Sequence, residues 1–319
     1  FTSTGVSAYT TDWEVDFNSL LQGTTNWVSV RTFDVATNTT TINDLFYILK
    51  DTTPPSVIDN QSGDDTWRTS SGTTYDVDFQ DTGGSLLDYA QYIVYDSTGQ
   101  GGNLIIGWTD IFTSTVSVYT TDWEVDFDSL IQGYNYVSVR VYDIAGSSRG
   151  VTDVFYIKKS TEVPTITDNQ PGDDTWRRDN TGIYDIDFDW GGVALLDYFQ
   201  TRVTSGVNQT GELIEDWATQ VSDISSSTYT LDWAISSTTW NNLQSGYNYV
   251  TVCIYDTAGA SSTLVDAFYV KKDTISPVIN NYEAGGDDVW RVASGTMYNV
   301  DFSDNLSLLS KVEYTIWNS

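Results

Sequence analysis

The chain has no histidine, one cysteine, one methionine and five prolines in 319 residues, and each shortage removes something. Without histidine, the side chain that most often serves as general base or zinc ligand near neutral pH is absent. The single Cys253 cannot build a disulfide framework within the chain. Cationic residues are scarce as well: 14 Lys and Arg stand against 44 Asp and Glu, a net charge of −30. Nucleic acid and anionic membrane are poor partners for such a surface, because both need neutralisation by Lys and Arg. No apolar run reaches 18 residues and no basic-apolar leader opens the sequence, so no membrane span is expected in this segment. The remaining acidity favours solubility, divalent cations or salt-rich surroundings.

What is present in abundance is repetition. Asp-Trp-Glu-Val-Asp-Phe occurs at 12–17 and at 122–127, and a relaxed Asp-Trp-Ala-Ile begins at Asp232. Gly-Asp-Asp-x-Trp-Arg ends at Arg68, Arg177 and Arg291, and a Phe-Tyr marker opens at Phe46, Phe155 and Phe268. The markers return every 109 to 114 residues, which is one whole domain per repeat and too long for a solenoid unit. The expected organisation is the C-terminal half of a unit at 1–50, complete units at 51–159 and 160–272, and the N-terminal half of a unit at 273–319. A half of that size is marginal alone. Either such halves are parts of a longer chain, or the C-terminal half of one copy completes the N-terminal half of another, as in head-to-tail strand complementation.

The patterning has period two. Val137, Val139 and Val141 alternate with polar or aromatic neighbours, as do Tyr75, Val77 and Phe79, and this is the signature of half-buried strands. Thr, Val, Tyr and Trp dominate, and no amphipathic helix is apparent. Seven or eight strands are predicted per unit, near Val57, Tyr75, Tyr92, Ile105, Trp123, Val139 and Phe155, in an all-β antiparallel sandwich. Asp143–Gly146 and Asp256–Gly259 read as the turn joining the last two strands, with Gly at positive φ; the first copy has Thr37 instead. In Leu130-x-x-Gly133-x-x-Tyr136 and its copy ending at Tyr249, the Tyr hydroxyl is expected to close a corner. Trp27 replaces it in the first copy, so the corner bond is expected to be missing there. Proline-containing junctions (Pro54, Pro55, Pro164, Pro277) predict short, semi-rigid connections.

The run Leu-x-x-Gly-x-x-Tyr-x-Val-x-Val-x-Asp-x-Ala-Gly, followed by Phe-Tyr-Val-Lys-Lys-Asp-Thr and a Pro, resembles bacterial immunoglobulin-like or fibronectin type III-like tandem repeats. Leu309–Tyr314 and Asp51–Pro55 extend the likeness, which covers the whole chain. It implies modular proteins that are secreted or displayed on a cell surface, such as stalks, adhesins and appendages. It does not explain the excess of Trp and Asp.

Three sets of residues are candidates for chemistry. Asp64, Asp65, Asp173, Asp174, Asp287 and Asp288 are clustered acids near unit junctions, suited to calcium, a hard cation that takes carboxylate and carbonyl oxygens; the plainer reading is a solvated Asx turn leading into a buried Trp. The recurring tryptophans read as core, whereas Trp190, in a Gly-Gly turn, and Trp240, in an insertion confined to one copy, are candidates for exposed aromatic contacts with a glycan. Paired acids such as Asp76/Asp78 and Glu124/Asp126 have the chemistry of a glycosidase, but they recur in every copy, as a solvent face does. Cys253 takes the place of Arg31 and Arg140, which predicts an outward thiol, and Asn38, Asn60, Asn208 and Asn305 sit in Asn-x-Ser/Thr matches. The sequence therefore predicts a non-enzymatic structural segment of a long extracellular protein, forming a filament, stalk or surface coat, with further copies of the repeat as partners. The alternative is an adhesin or glycan-binding module on a stalk.

Overall fold

The computed structural model describes residues 5–61, 64–170 and 172–318, which form two compact units, Phe1–Thr161 and Glu162–Ser319. Among the described residues no helix is long and apolar enough to cross a membrane. Each unit is built around a sandwich of two antiparallel sheets.

In the first unit the larger sheet runs, edge to edge, Trp67–Arg68, Ser148–Lys159, Gly133–Asp143, Leu87–Ser97 and Gly101–Thr113. All pairings are antiparallel except that of Trp67–Arg68, which lies parallel to Ser148–Lys159. The facing sheet holds Ser56–Asp59, Val77–Gln80 and Val118–Tyr119, extended by the pair Thr74–Tyr75 and Trp123–Glu124. A first strand that leaves one sheet to pair parallel with the last strand of the other defines an immunoglobulin-like, fibronectin III-like sandwich. All seven expected strand centres lie in strands. The alternation buries Val137, Val139 and Val141 on Gly133–Asp143, against Tyr75, Val77 and Phe79 from the other sheet. Tyr75 stacks on Phe155 with ring centroids 4.4 Å apart, and Trp123 tilts against the same Phe155 at 5.8 Å. Fully burying an aromatic of this size contributes roughly 2–3 kcal/mol.

The second unit repeats this order, Trp176–Arg177, Ser261–Lys272, Gly246–Asp256, Leu196–Gly206 and Thr210–Val221 over Thr165–Asp168, Ile186–Asp189 and Thr228–Tyr229, with the extending strand pair reduced to a single bridge between Tyr184 and Trp233. Its Tyr184–Phe268 stack at 4.3 Å and Trp233–Phe268 contact at 5.8 Å reproduce the core of the first. Each unit also carries a partial repeat. Thr24–Phe33 pairs with Thr39–Lys50 in the first, and Val278–Asn281 with Val300–Ser303 in the second.

The last hairpin contains the same bulge in all three copies. The register slips between Val28 and Val30, Val137 and Val139, and Val250 and Val252. The extra residues opposite place Asp44, Asp153 and Asp266 at positive φ, 52°, 51° and 54°. Their amides, lost to the ladder, donate to Ser29, Ser138 and Thr251 hydroxyls at 3.1, 3.0 and 3.2 Å, so the bulge leaves no orphaned donor. The following turn is the same in every copy: Gly146 and Gly259 have φ of 90° and 86°, and Thr37 is held at 69° in their place. The first copy thus keeps the turn and accepts a strained threonine.

One correction concerns the corners. The residue that closes them is an asparagine, not the expected tyrosine. Asn135 is fully buried; its Oδ1 accepts from Ile131 N at 3.0 Å, and its Nδ2 donates to the carbonyls of Ile131, Gly133 and Ile157. Asn248 and Asn26 repeat the pattern, so the corner bond expected to be missing beside Trp27 is present. The second device is a lysine. Lys159 Nζ donates to the carbonyls of Phe127, Asp128 and Leu130 at 2.8, 3.2 and 2.9 Å. Lys272 does the same to Trp240 and Leu243, and Lys50 to Asn18 and Leu20. These ammonium groups have carbonyl oxygens, rather than carboxylates, as their hydrogen-bond partners.

Candidate functional site

The Gly-Asp-Asp-x-Trp-Arg motif forms an ion-paired Asx turn at the edge of the larger sheet. Thr66 N and Thr175 N donate to Asp64 Oδ1 and Asp173 Oδ1 at 3.2 and 3.0 Å. The arginine four residues on returns to the same carboxylate: Arg68 Nε and Nη2 grip Asp64 at 3.1 and 3.0 Å, Arg177 Nε reaches Asp173 at 2.7 Å, and Arg291 Nη2 holds Asp287 at 3.1 Å. The second acid faces the last strand. Asp65 accepts from the Tyr156 hydroxyl and lies 3.5 Å from Lys158 Nζ; Asp174 accepts from Tyr269 at 2.6 Å and pairs with Lys271 at 2.9 Å. Those hydrogen bonds, the tyrosine first and then the lysine, hold both carboxyls below the usual range. The bond to Asp65 pushes the Tyr156 hydroxyl up to about 12. Asp288 is exposed. The motif fastens the parallel edge strand with internal cations, and Asp64, Asp65, Asp173, Asp174 and Asp287 already have positive partners.

Beside the first two motifs stands an aromatic ladder. Trp67, Tyr134 and Tyr156 follow one another at 6.1 and 5.6 Å, with Lys158 Nζ 5.6 Å over the Trp67 ring. Trp176, Tyr247 and Tyr269 repeat it at 5.9 and 5.4 Å under Lys271. Tyr134 and Tyr247, at equivalent positions of the two sandwiches, are exposed.

The tryptophans expected to be exposed are not. Trp190 is 4% and Trp240 7% exposed. Trp240 begins no platform: its ring lies 5.4 Å from Lys272 Nζ, as Phe127 lies 4.8 Å from Lys159 and Phe17 5.2 Å from Lys50. The insertion folds into the short helix Ser237–Asn242, capped by Ser236, and delivers an indole where the other copies use phenylalanine. Cys253 is likewise buried, within reach of the Thr263 hydroxyl at 3.2 Å, because the arginine it replaces is itself half-buried between Gln91 and Trp108. Among the paired acids, Asp76 and Asp78 accept from the two-way amide of Asn60 at 3.0 and 2.9 Å. Asp185 and Asp187 receive Asn169 in the same way.

One acidic cluster was not legible in the sequence. Asp51, Asp81 and Asp143 bring carboxylate oxygens within 4.8 Å of one another. Asp51 follows the hairpin Thr24–Phe33/Thr39–Lys50, Asp81 follows the strand Val77–Gln80, and Asp143 ends Gly133–Asp143. Backbone amides orient all three: Asp51 accepts from Thr53 and Ser85, Asp81 from Gly83, Gly84 and Leu86, and Asp143 Oδ1 from Ser147. The backbones approach closely here, for a Cβ on Gly84 would lie 2.8 Å from Gly23 Cα. Burial, reinforced by the charges of Asp51 and Asp81, raises the Asp143 carboxyl above its ordinary value.

Neither the protein-family models nor the curated proteins include a match to this chain. Among solved structures it is similar to fibronectin(III)-like modules of Clostridium thermocellum CbhA, at 12% identity over 68% of this chain and 94% of that one, with a TM-score of 0.25. It is also similar to a tetra-tandem repeat in the extending region of a large adhesion protein, at 18% identity over 83% of this chain and 60% of that one, TM-score 0.30. A third is a Ca2+-stabilized adhesin that helps an Antarctic bacterium reach out and bind ice, at 14% identity over 79% of this chain and 58% of that one, TM-score 0.30. The chain therefore spans about three fifths of the length of the latter two. The fold itself is fixed by the chain's own strand order: tandem, all-β sandwiches of immunoglobulin-like, fibronectin III-like type.

Proposed function

We propose that this chain is a non-enzymatic structural segment of a long extracellular protein, with sandwiches at 51–159 and 160–272 serving as spacers in a filament, stalk or surface coat. The observation that carries this reading is the reuse of one set of internal contacts in both units, from the Tyr75–Phe155 and Tyr184–Phe268 stacks to the Lys159 and Lys272 caps. An active site is specialised, whereas these acids and aromatics recur at equivalent positions. Further copies of the repeat are the partners of this reading, since consecutive units are built alike. An adhesive or glycan-binding role would be favoured by exposed aromatics in one unit and not its neighbour. Trp190 and Trp240 are buried, and the ladders at Tyr134 and Tyr247 occur in both units. Immunogold electron microscopy of source cells with an antibody to residues 51–272 tests the proposal. Label along surface fibres or a coat is the expected result; label confined to the cell interior contradicts it.

A further inference from the structure

We propose that Asp51, Asp81 and Asp143 form a calcium site that ties the end of the Thr39–Lys50 strand to the sandwich following it. The site goes beyond the spacer reading and does not depend on it. Three carboxylates from three separate stretches converge within 4.8 Å, and none of the ion pairs among the described residues involves them. The adjoining Lys50 gives its ammonium to the carbonyls of Asn18 and Leu20 instead. Asp143 is 2% exposed, and its Oδ2 has no hydrogen-bond partner although Oδ1 is held by Ser147 N. A buried carboxylate oxygen without a donor, facing two further carboxylates, is an arrangement that a cation resolves.

The donor set selects the ion. All-oxygen ligation with neither histidine nor thiolate suits a hard cation. Calcium takes six to eight oxygens in flexible geometry, whereas magnesium demands a near-octahedral shell and keeps its waters. A cleft lined by Asp51, Gly84, Ser85 and Ile144 opens beside the cluster, giving calcium a way in and room for water to complete its shell.

The second unit supplies an internal comparison. Trp190 takes the place of Asp81, with its amide donating to Ser227 O as that of Asp81 donates to Ser117 O. In sequence register Ser160 stands for Asp51 and Val193 for Gly84, leaving Asp256 as the one acid retained. Asp256 Oδ2 is also unpartnered, but with the other two acids replaced, no second cluster of this kind occurs among the described residues. Asp273 and Asp304 restore two of the three acids in the last segment: Asp273 accepts from Ser307 N, and Asp304 from Leu306 N and Leu308 N.

The test is calorimetric titration of the chelator-stripped full chain with calcium chloride, together with thermal unfolding in calcium, in magnesium and in chelator. The expected result is a stoichiometry near one, lost in both Asp81→Asn and Asp143→Asn and unchanged in Asp65→Asn. At free calcium about a hundred times Kd, the folded-to-unfolded ratio of the first unit should rise roughly a hundredfold. In chelator, Asp143→Asn should melt no lower than the parent chain, because it removes one of three facing charges; this also establishes that the variant folds. A parent chain that takes up no stoichiometric calcium overturns the proposal. So does a variant, Asp81→Asn or Asp143→Asn, that keeps the parent isotherm, or an equal response to magnesium.

Discussion

The sandwiches of the two units, Phe1–Thr161 and Glu162–Ser319, share the strand order of both sheets and part company at a few side chains. Where the first has Asp81, the second has Trp190; where the first covers its buried lysine with Phe127, the second uses Trp240 on a one-and-a-half-turn helix. What does not vary is the set that satisfies buried polar groups or fills the centre: the Asn135/Asn248 corner, the Lys159/Lys272 cap and the Tyr–Phe stack. The difference teaches that this scaffold tolerates exchange at its ends and corners so long as those internal contacts persist.

If that is right, equivalent mutations should cost the same in either sandwich and less in a partial repeat. Phe155→Ala and Phe268→Ala should each destabilise their own unit by about 3–5 kcal/mol, as read by urea unfolding. Phe46→Ala, at a position partly open to solvent, should fall well below that. An unequal cost between the two complete units would break the comparison. The lysine cap comes next. Lys159→Met and Lys272→Met leave buried carbonyls without donors, and about 2–4 kcal/mol should be lost in each case.

Alkaline pH probes the stacked tyrosines. Burial pushes the Tyr184 hydroxyl up to about 12 from an ordinary value of 10, and raises Tyr75 as well. A pKa higher in the folded state means that the folded form holds the proton more tightly. Stability is therefore complete below about 10 and is lost as pH rises through the folded value. Circular dichroism and tyrosinate absorbance should change together near pH 12; titration of all tyrosines near 10 with the fold intact would contradict the burial. The smallest effect expected is a gain: Thr37→Gly should relieve the positive φ and stabilise the first hairpin by about 1 kcal/mol. Its readout is slower amide exchange at the Asp34–Asn38 turn.

Most of the fold was readable from period-two alternation, because strand faces differ so sharply in polarity here. The corner was misread since Tyr136 carries the recognisable motif, while Asn135 beside it makes the bonds. Lys159 was hidden in a Lys-Lys pair that resembles a solvated junction, and only packing separates it from the ion-paired Lys158. Trp240 looked like an addition because its insertion has no counterpart, yet the helix returns the ring to an existing slot. The Asp51, Asp81 and Asp143 cluster left no local signal, because its members are far apart in the chain and meet only once the sheets have closed. Asp64 and Asp65, by contrast, looked conspicuous in sequence and turned out to be paired with Arg68 and Lys158.

The most direct test of the spacer account is to stretch the single chain from its two ends. Two sandwiches of the same construction should resist force separately and give two main unfolding steps of nearly equal length, roughly 350 Å each for a repeat of this size. A single cooperative rupture, or one complete unit that extends without resistance, would contradict it.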